Sequence, residues 1–147
     1  MRSTQAFGIT LLATMSACHL HERGGSTEHT DLIGRWELTH IYRGGVDINL
    51  DHLEGAIREI RDSSYSITPA SGLVITGKYT ANNDASPKTI DEVVDNGRFK
   101  GQTLKGIYRV HDRRLTISFG GPGEPRPASF ESEAGTNHTV AIHRLAR

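Results

Sequence analysis

Leu32-Ile33-Gly34-Arg35-Trp36-Glu37-Leu38 holds the only tryptophan of the chain, at the point where a polar leader gives way to short segments of alternating apolar residues. Side chains alternate between the two faces of a strand. A strand over Gly34 to Arg43 therefore puts Trp36, Leu38, His40 and Tyr42 on one face and Glu37, Thr39, Ile41 and Arg43 on the other. Gly44-Gly45 ends it. The stretch reads as the first strand of a small β-barrel, with the Trp36 indole plugging one end.

Working outward from it, Leu50 to Glu54 is expected to form one helical turn, with Asn49 as N-cap. Ala56 to Arg61 and Tyr65 to Thr68 flank the turn Asp62-Ser63-Ser64 and read as a hairpin. Leu73 to Thr80 alternates through Leu73, Ile75, Gly77 and Tyr79; Asn82 to Pro87 is a loop, and Lys88 to Val94 is a strand closed by Asp95-Asn96-Gly97. Thr103 to Val110 and Leu115 to Phe119 form the clearest hairpin, joined at His111-Asp112-Arg113. Gly120 to Pro127 is too rich in glycine and proline to hold a ladder and reads as an exposed loop, with Arg126 presenting a charge at the barrel mouth. Thr139 to Leu145 is the last strand. About eight strands at even spacing, without a βαβ pattern, predict an all-β fold: an eight-stranded antiparallel up-and-down barrel, whose closure removes exposed edges. Closure pairs the last strand with the first, which brings Arg144 to the same end as Trp36. A guanidinium laid on the indole there would be worth about 0.5–2 kcal/mol.

The 147 residues suffice for one domain with its own core. Seventeen basic residues, mostly arginine, balance seventeen acidic ones and are scattered along the chain. No run of them tracks a phosphate backbone, so nucleic acid is not an expected partner. The single cysteine, Cys18, excludes an intrachain disulfide. One positive charge near Met1, a short apolar run from Ala6 to Met15 and the small residues Ser16-Ala17 have the layout of an export signal. Small residues ending at a cysteine resemble the lipobox of bacterial lipoproteins, which implies lipid attachment at Cys18. His19 follows, where an aspartate would resemble the inner-membrane retention signal. The expected organisation is a signal over 1–17, a flexible tether over 18–30 and a barrel over 31–147. The expected location is the outer membrane or periplasm of a Gram-negative-type bacterium. The tether histidines have no rigid element to converge them, so no metal site is expected.

Gly34-Arg35-Trp36 with a late-strand Arg144 is similar to the Gly-x-Trp plus arginine signature of lipocalins. A more specific succession is Leu32 to Trp36, Pro87 to Asp91, Gly101 to Tyr108 and Pro122 to Phe130. Together these resemble a domain of unknown function abundant in predicted secreted proteins of planctomycete bacteria. That resemblance implies a lipocalin-like barrel and export, and brings no catalytic or binding residues with it.

No nucleophile elbow, zinc-protease, P-loop or dinucleotide motif is present. No catalytic residue or cofactor is assigned, and the chain is expected to act as a monomer. Alternation gives a ligand-lining set of Trp36, Leu38, His40, Tyr42, Ile75, Tyr79, Leu104, Tyr108, Ile117 and Phe119. His143 is expected to point to solvent. The preferred reading is a lipid-anchored barrel binding a small apolar ligand or an envelope partner. The alternative is a packed barrel acting through its loops as a protein-binding or inhibitor module. A weaker third reading is a hydrolase or isomerase that uses His40 and lumen tyrosines.

Overall fold

The structure, a computed structural model, describes residues 31–48, 53 and 55–147. Cys18, the signal and tether segments and most of the turn expected over Leu50 to Glu54 lie outside these residues. The described chain forms one antiparallel sheet of nine strands: β1 (Gly34–Arg43), β2 (Val46–Asp47), β3 (Ile57–Ile60), β4 (Ser64–Thr68), β5 (Ile75–Asn82), β6 (Lys88–Val94), β7 (Thr103–His111), β8 (Arg114–Phe119) and β9 (Thr139–Leu145). No helix occurs among the described residues. From β3 to β9 each strand pairs with its sequence neighbour, and β1 pairs with β9 on one edge and β3 on the other. The sheet therefore closes into an eight-stranded up-and-down barrel, consistent with a lipocalin-like architecture. The two-residue β2 folds back on the end of β1 through Gly44-Gly45, both in the left-handed region.

The interior is filled largely by aromatic and branched side chains: Trp36, Ile60, Tyr65, Tyr79, Ile90, Tyr108, Leu115, Ile117 and Phe119 form one buried cluster with Leu32. Two glycines make room for rings. A Cβ on Gly77 would lie 2.6 Å from the Tyr65 ring, and one on Gly106 would lie 2.6 Å from Phe119. Each glycine is the cross-strand partner of the aromatic that covers it.

A β-bulge inverts half of β1. Leu38 opposes His143 and His40 opposes Ile142, which leaves Thr39 as an extra residue. Past the bulge the inward face passes to Ile41 and Arg43, opposite Ala141 and Thr139. His40 and Tyr42 instead stack on the outer surface, ring planes 3° apart and centroids 6.5 Å apart. Strand β9 turns Thr139, Ala141, His143 and Leu145 inward, opposite Phe119, Ile117 and Leu115 of β8 for the first three.

The segment between Phe119 and Thr139 is a strap on the outside of the barrel. Arg126 grips both carboxylate oxygens of Asp91 on β6, at 2.6 and 3.2 Å, and donates to the Gly106 carbonyl of β7 at 2.6 Å. Phe130 lies under the Arg109 guanidinium at 4.6 Å. Gly44 N–H donates to the His138 carbonyl, and Gly45 N–H donates to Ser132 Oγ. Outward-facing Ile107, Thr116, Ser118 and Val140 are consequently as buried as the interior. Arg126 is thus a clamp on the barrel wall and not a charge at its mouth.

Candidate functional site

The two ends of the barrel differ. At one end Trp36 Nε1 donates to the Leu32 carbonyl at 2.9 Å, so the chain entering β1 closes over the indole. Lys88 pairs with Asp31 at 2.7 Å and lies 5.7 Å above the Tyr108 ring, whose hydroxyl bonds Asn83. Tyr79 donates to the Arg61 carbonyl at 2.8 Å. Desolvation and nearby carboxylates raise the pKa of Tyr79 and Tyr108, so both stay protonated donors.

Arg144 does reach this end but does not touch the indole. In the register Trp36 opposes Leu145, whereas Arg144 opposes Glu37 and therefore sits on the outer face. There it forms a bidentate pair with Glu37, at 3.0 and 2.9 Å, which raises the Arg144 pKa and lowers that of Glu37. The expected barrel-end pair of Trp36 and Arg144 is replaced by Trp36–Leu32 inside and Arg144–Glu37 outside. One residue of register makes the difference.

Midway along the interior lies a polar centre. Arg58 Nη1 donates to Glu92 Oε1 at 2.5 Å, and the Tyr65 hydroxyl donates to the same carboxylate. The Arg58 guanidinium stands 5.1 Å from the Tyr65 ring centroid. Burial pushes the Glu92 carboxyl up, and Arg58 and Tyr65 pull it back. His143 faces the same interior and is only 4% exposed. Burial, with Arg58 adding to it, depresses its pKa to about 3, so the ring is neutral near pH 7. Arg58 Nε and His143 Nδ1 are both buried without a hydrogen-bond partner among the described residues. Buried polar atoms in that condition are sparse in folded proteins and call for a water or a ligand group.

Among the described residues the opposite end is left open. A pocket of about 280 Å³ is lined by Phe99, Leu104 and Phe119, with Arg43, Arg98 and Asn137 around it and Gly120 to Pro122 at the base of the strap. Arg43 is held by Nε donating to Thr139 Oγ1 at 3.1 Å. Leu104 and Phe119 belong to or pack on the buried cluster, and the cross-strand partner of Leu104 is Glu92. The pocket thus stands on the same inner face as the polar centre.

Of the lining residues expected from alternation, Trp36, Tyr79, Tyr108, Ile117 and Phe119 are buried, and Leu38, Ile75 and Leu104 are partly buried. His40 and Tyr42 are not lining residues, because the bulge at Thr39 turns them outward; Ile41 and Arg43 take their place. His40 is exposed on the outer wall, and the catalytic reading built on it and lumen tyrosines falls with it. His143, expected in solvent, is interior. Sequence reasoning also missed Arg58 and Glu92. Their signal was present: Arg58 shares a face with Ile60, and Glu92 lies between Ile90 and Val94 at period two. Two opposite charges on otherwise apolar inner faces are readable as one buried pair.

Comparison with known proteins finds no matching family model, no similar curated protein and no similar solved structure. The fold itself is compatible with lipocalin-like binding.

Proposed function

We propose that this chain is an exported, lipid-anchored barrel that binds a small molecule with an apolar body and an anionic end through its open mouth. The observation that carries the binding reading is the mouth pocket, where Phe99, Leu104 and Phe119 provide apolar contact and Arg43 and Arg98 provide charge. Its volume of about 280 Å³ lies just below the roughly 300–1,000 Å³ of ordinary ligand pockets, which suits a small ligand. A short-chain or aromatic carboxylate fits that size and chemistry. The apolar run before Cys18 supports export and anchoring, as does the resemblance of the motif succession to a domain of secreted planctomycete proteins.

Calorimetric titration with octanoate and with octanol tests the binding. Octanoate is expected to bind and octanol to bind several-fold more weakly; Leu104→Trp, which fills the pocket, abolishes both. Equal binding by the wild type and Leu104→Trp overturns the mouth as the site. The anchor is tested by the mass of the mature protein, which is expected to begin at an acylated Cys18. A mature chain starting there without an adduct removes it.

A second reading draws on the loops at the same end. Val46 is 64% exposed, Leu73 61% and Val74 40%, which gives that rim apolar tips suited to a protein partner. If neither probe binds and Leu73→Ser with Val74→Ser abolishes capture of an envelope protein, the loop-mediated module replaces the ligand carrier.

A further inference from the structure

The closed end carries a second surface that the binding mouth does not use. On the outer wall, cross-strand pairing sets Ile57, Glu37, Arg144 and Arg114 in one row from β3 through β1 and β9 to β8. Beyond this row the last residues are pinned between two elements. Ala146 N–H donates to the Arg35 carbonyl at 2.8 Å, and Leu145 N–H donates to the Arg113 carbonyl at 2.9 Å. The result is a cleft of about 860 Å³ whose lining includes Arg35, Arg113, Arg114, Arg144 and Arg147. Among the described residues only the side chains of Glu37 and Asp112 set negative charge against them in that lining. Glu37 is taken by Arg144 through both its oxygens, and Asp112 lies 3.0 Å from His111. Arg35, Arg113, Arg114 and Arg147 have no carboxylate partner among the described residues.

Half of the ten lining residues are thus arginines, in a chain whose charges cancel. They come from three strands, a turn and the last residue described, so only the fold gathers them. The turn adds an independent observation. Asp112 and Arg113 both occupy the left-handed region, with φ of 48° and 60°. A two-residue hairpin turn of this hand is filled at least cost by asparagine and glycine. An arginine there is held against its backbone preference, and strain of this kind gathers at functional sites. The placement puts the Arg113 guanidinium on the cleft.

We infer that this cleft is an anion site that takes phosphate groups. Planar guanidinium forks match phosphate oxygens two at a time, and several converging forks suit a multiply charged phosphate better than a lone carboxylate. The source is either a soluble phosphate compound or an anionic lipid headgroup. The second rests on the anchored reading: residue 31 lies at this same end, so a tether leading to a lipid would bring the cleft toward the membrane. The phosphate contact itself does not depend on the mouth ligand or on the anchor.

The test uses the full chain. Arginine Nε–H signals are followed by NMR during titration with pyrophosphate, and cosedimentation is measured with phosphatidylcholine vesicles with and without one-third phosphatidylglycerol. Saturable shifts at Arg35, Arg113, Arg114 and Arg147 are expected, and Arg113→Gly with Arg114→Gln is expected to weaken binding about tenfold. Arg113→Gly relaxes the turn, so a thermal midpoint at or above that of the wild type separates lost binding from lost folding. Arg61→Gln, which removes one exposed charge elsewhere, leaves binding unchanged. Pyrophosphate binding alone assigns a soluble phosphate compound. Binding that depends on phosphatidylglycerol and is displaced by pyrophosphate assigns the headgroup. Binding by neither probe, or binding that the double variant retains in full, overturns the site.

Discussion

The Arg58–Glu92 pair, with Tyr65 on one side and His143 nearby, is the least ordinary feature at the residue scale. Neither charge reaches solvent, so each depends on the other for what water would supply. Arg58→Met alone is expected to destabilise the fold by about 3–5 kcal/mol, because Glu92 is left buried and unpaired. Arg58→Met with Glu92→Leu is expected to recover most of that loss, as read from urea unfolding midpoints. Failure of the double variant to recover would mean that the pair is needed for packing beyond its charge. His143 gives a pH dependence of known sign. The unfolded imidazole takes up a proton below its ordinary value of 6.5, and the folded one resists until about pH 3. More protons bind to the unfolded chain in that window, so stability is complete above pH 6.5 and falls as pH drops toward 3, at roughly 1.4 kcal/mol per unit. His143→Leu is expected to flatten this part of the stability profile between pH 6.5 and 4 relative to the wild type. An unchanged slope would place the ring in water.

At the scale of elements, the strap over 120–138 and the bulge in β1 decide which surfaces exist. The strap is a long connection that keeps Ile107, Ser118 and Val140 out of water on what would otherwise be the outer wall. Its main fastening is Arg126. Arg126→Ala removes charge-assisted bonds to Asp91 and to the Gly106 carbonyl, at an expected cost of about 1–3 kcal/mol. Limited proteolysis is expected to cut within 120–138 much faster in that variant, and an unchanged cutting rate would show that Phe130 and Ser132 hold the strap unaided. Most strands were legible because alternation and turn residues agree: β1, β6 and β9 have the bounds the pattern predicts, and β7 and β8 differ by one residue at an end. Strand β5 starts later than the apolar Leu73 implies, because Asn96 ties up the chain there by accepting from Thr76 N–H and donating to the Val74 carbonyl. Facing was less legible than pairing. The bulge at Thr39 has no glycine or proline to announce it, and without it His40 and Tyr42 fall on the wrong side. In β9, Val140 and Ile142 look like the core face. They point outward, and the strap covers Val140 in a way that no periodicity could show.

For the whole molecule, a neutral sum of charges conceals a sorted arrangement. One opposite pair lies buried in the middle, two arginines stand at an apolar mouth, and five gather on the wall at the far end. That sorting gives one small domain the two separate surfaces proposed above for binding, and both depend on the way the ring closes. The β1–β9 seam brings Arg43 to the mouth, His143 to the interior and Arg144 to the cleft wall, and a slip of one residue would exchange all three. Backbone nuclear Overhauser contacts across that seam report the closure. Trp36 is expected against Leu145, Leu38 against His143 and Ile41 against Ala141, with Thr39 unmatched. Contacts pairing Trp36 with Arg144, or none between the two strands, would contradict that closure.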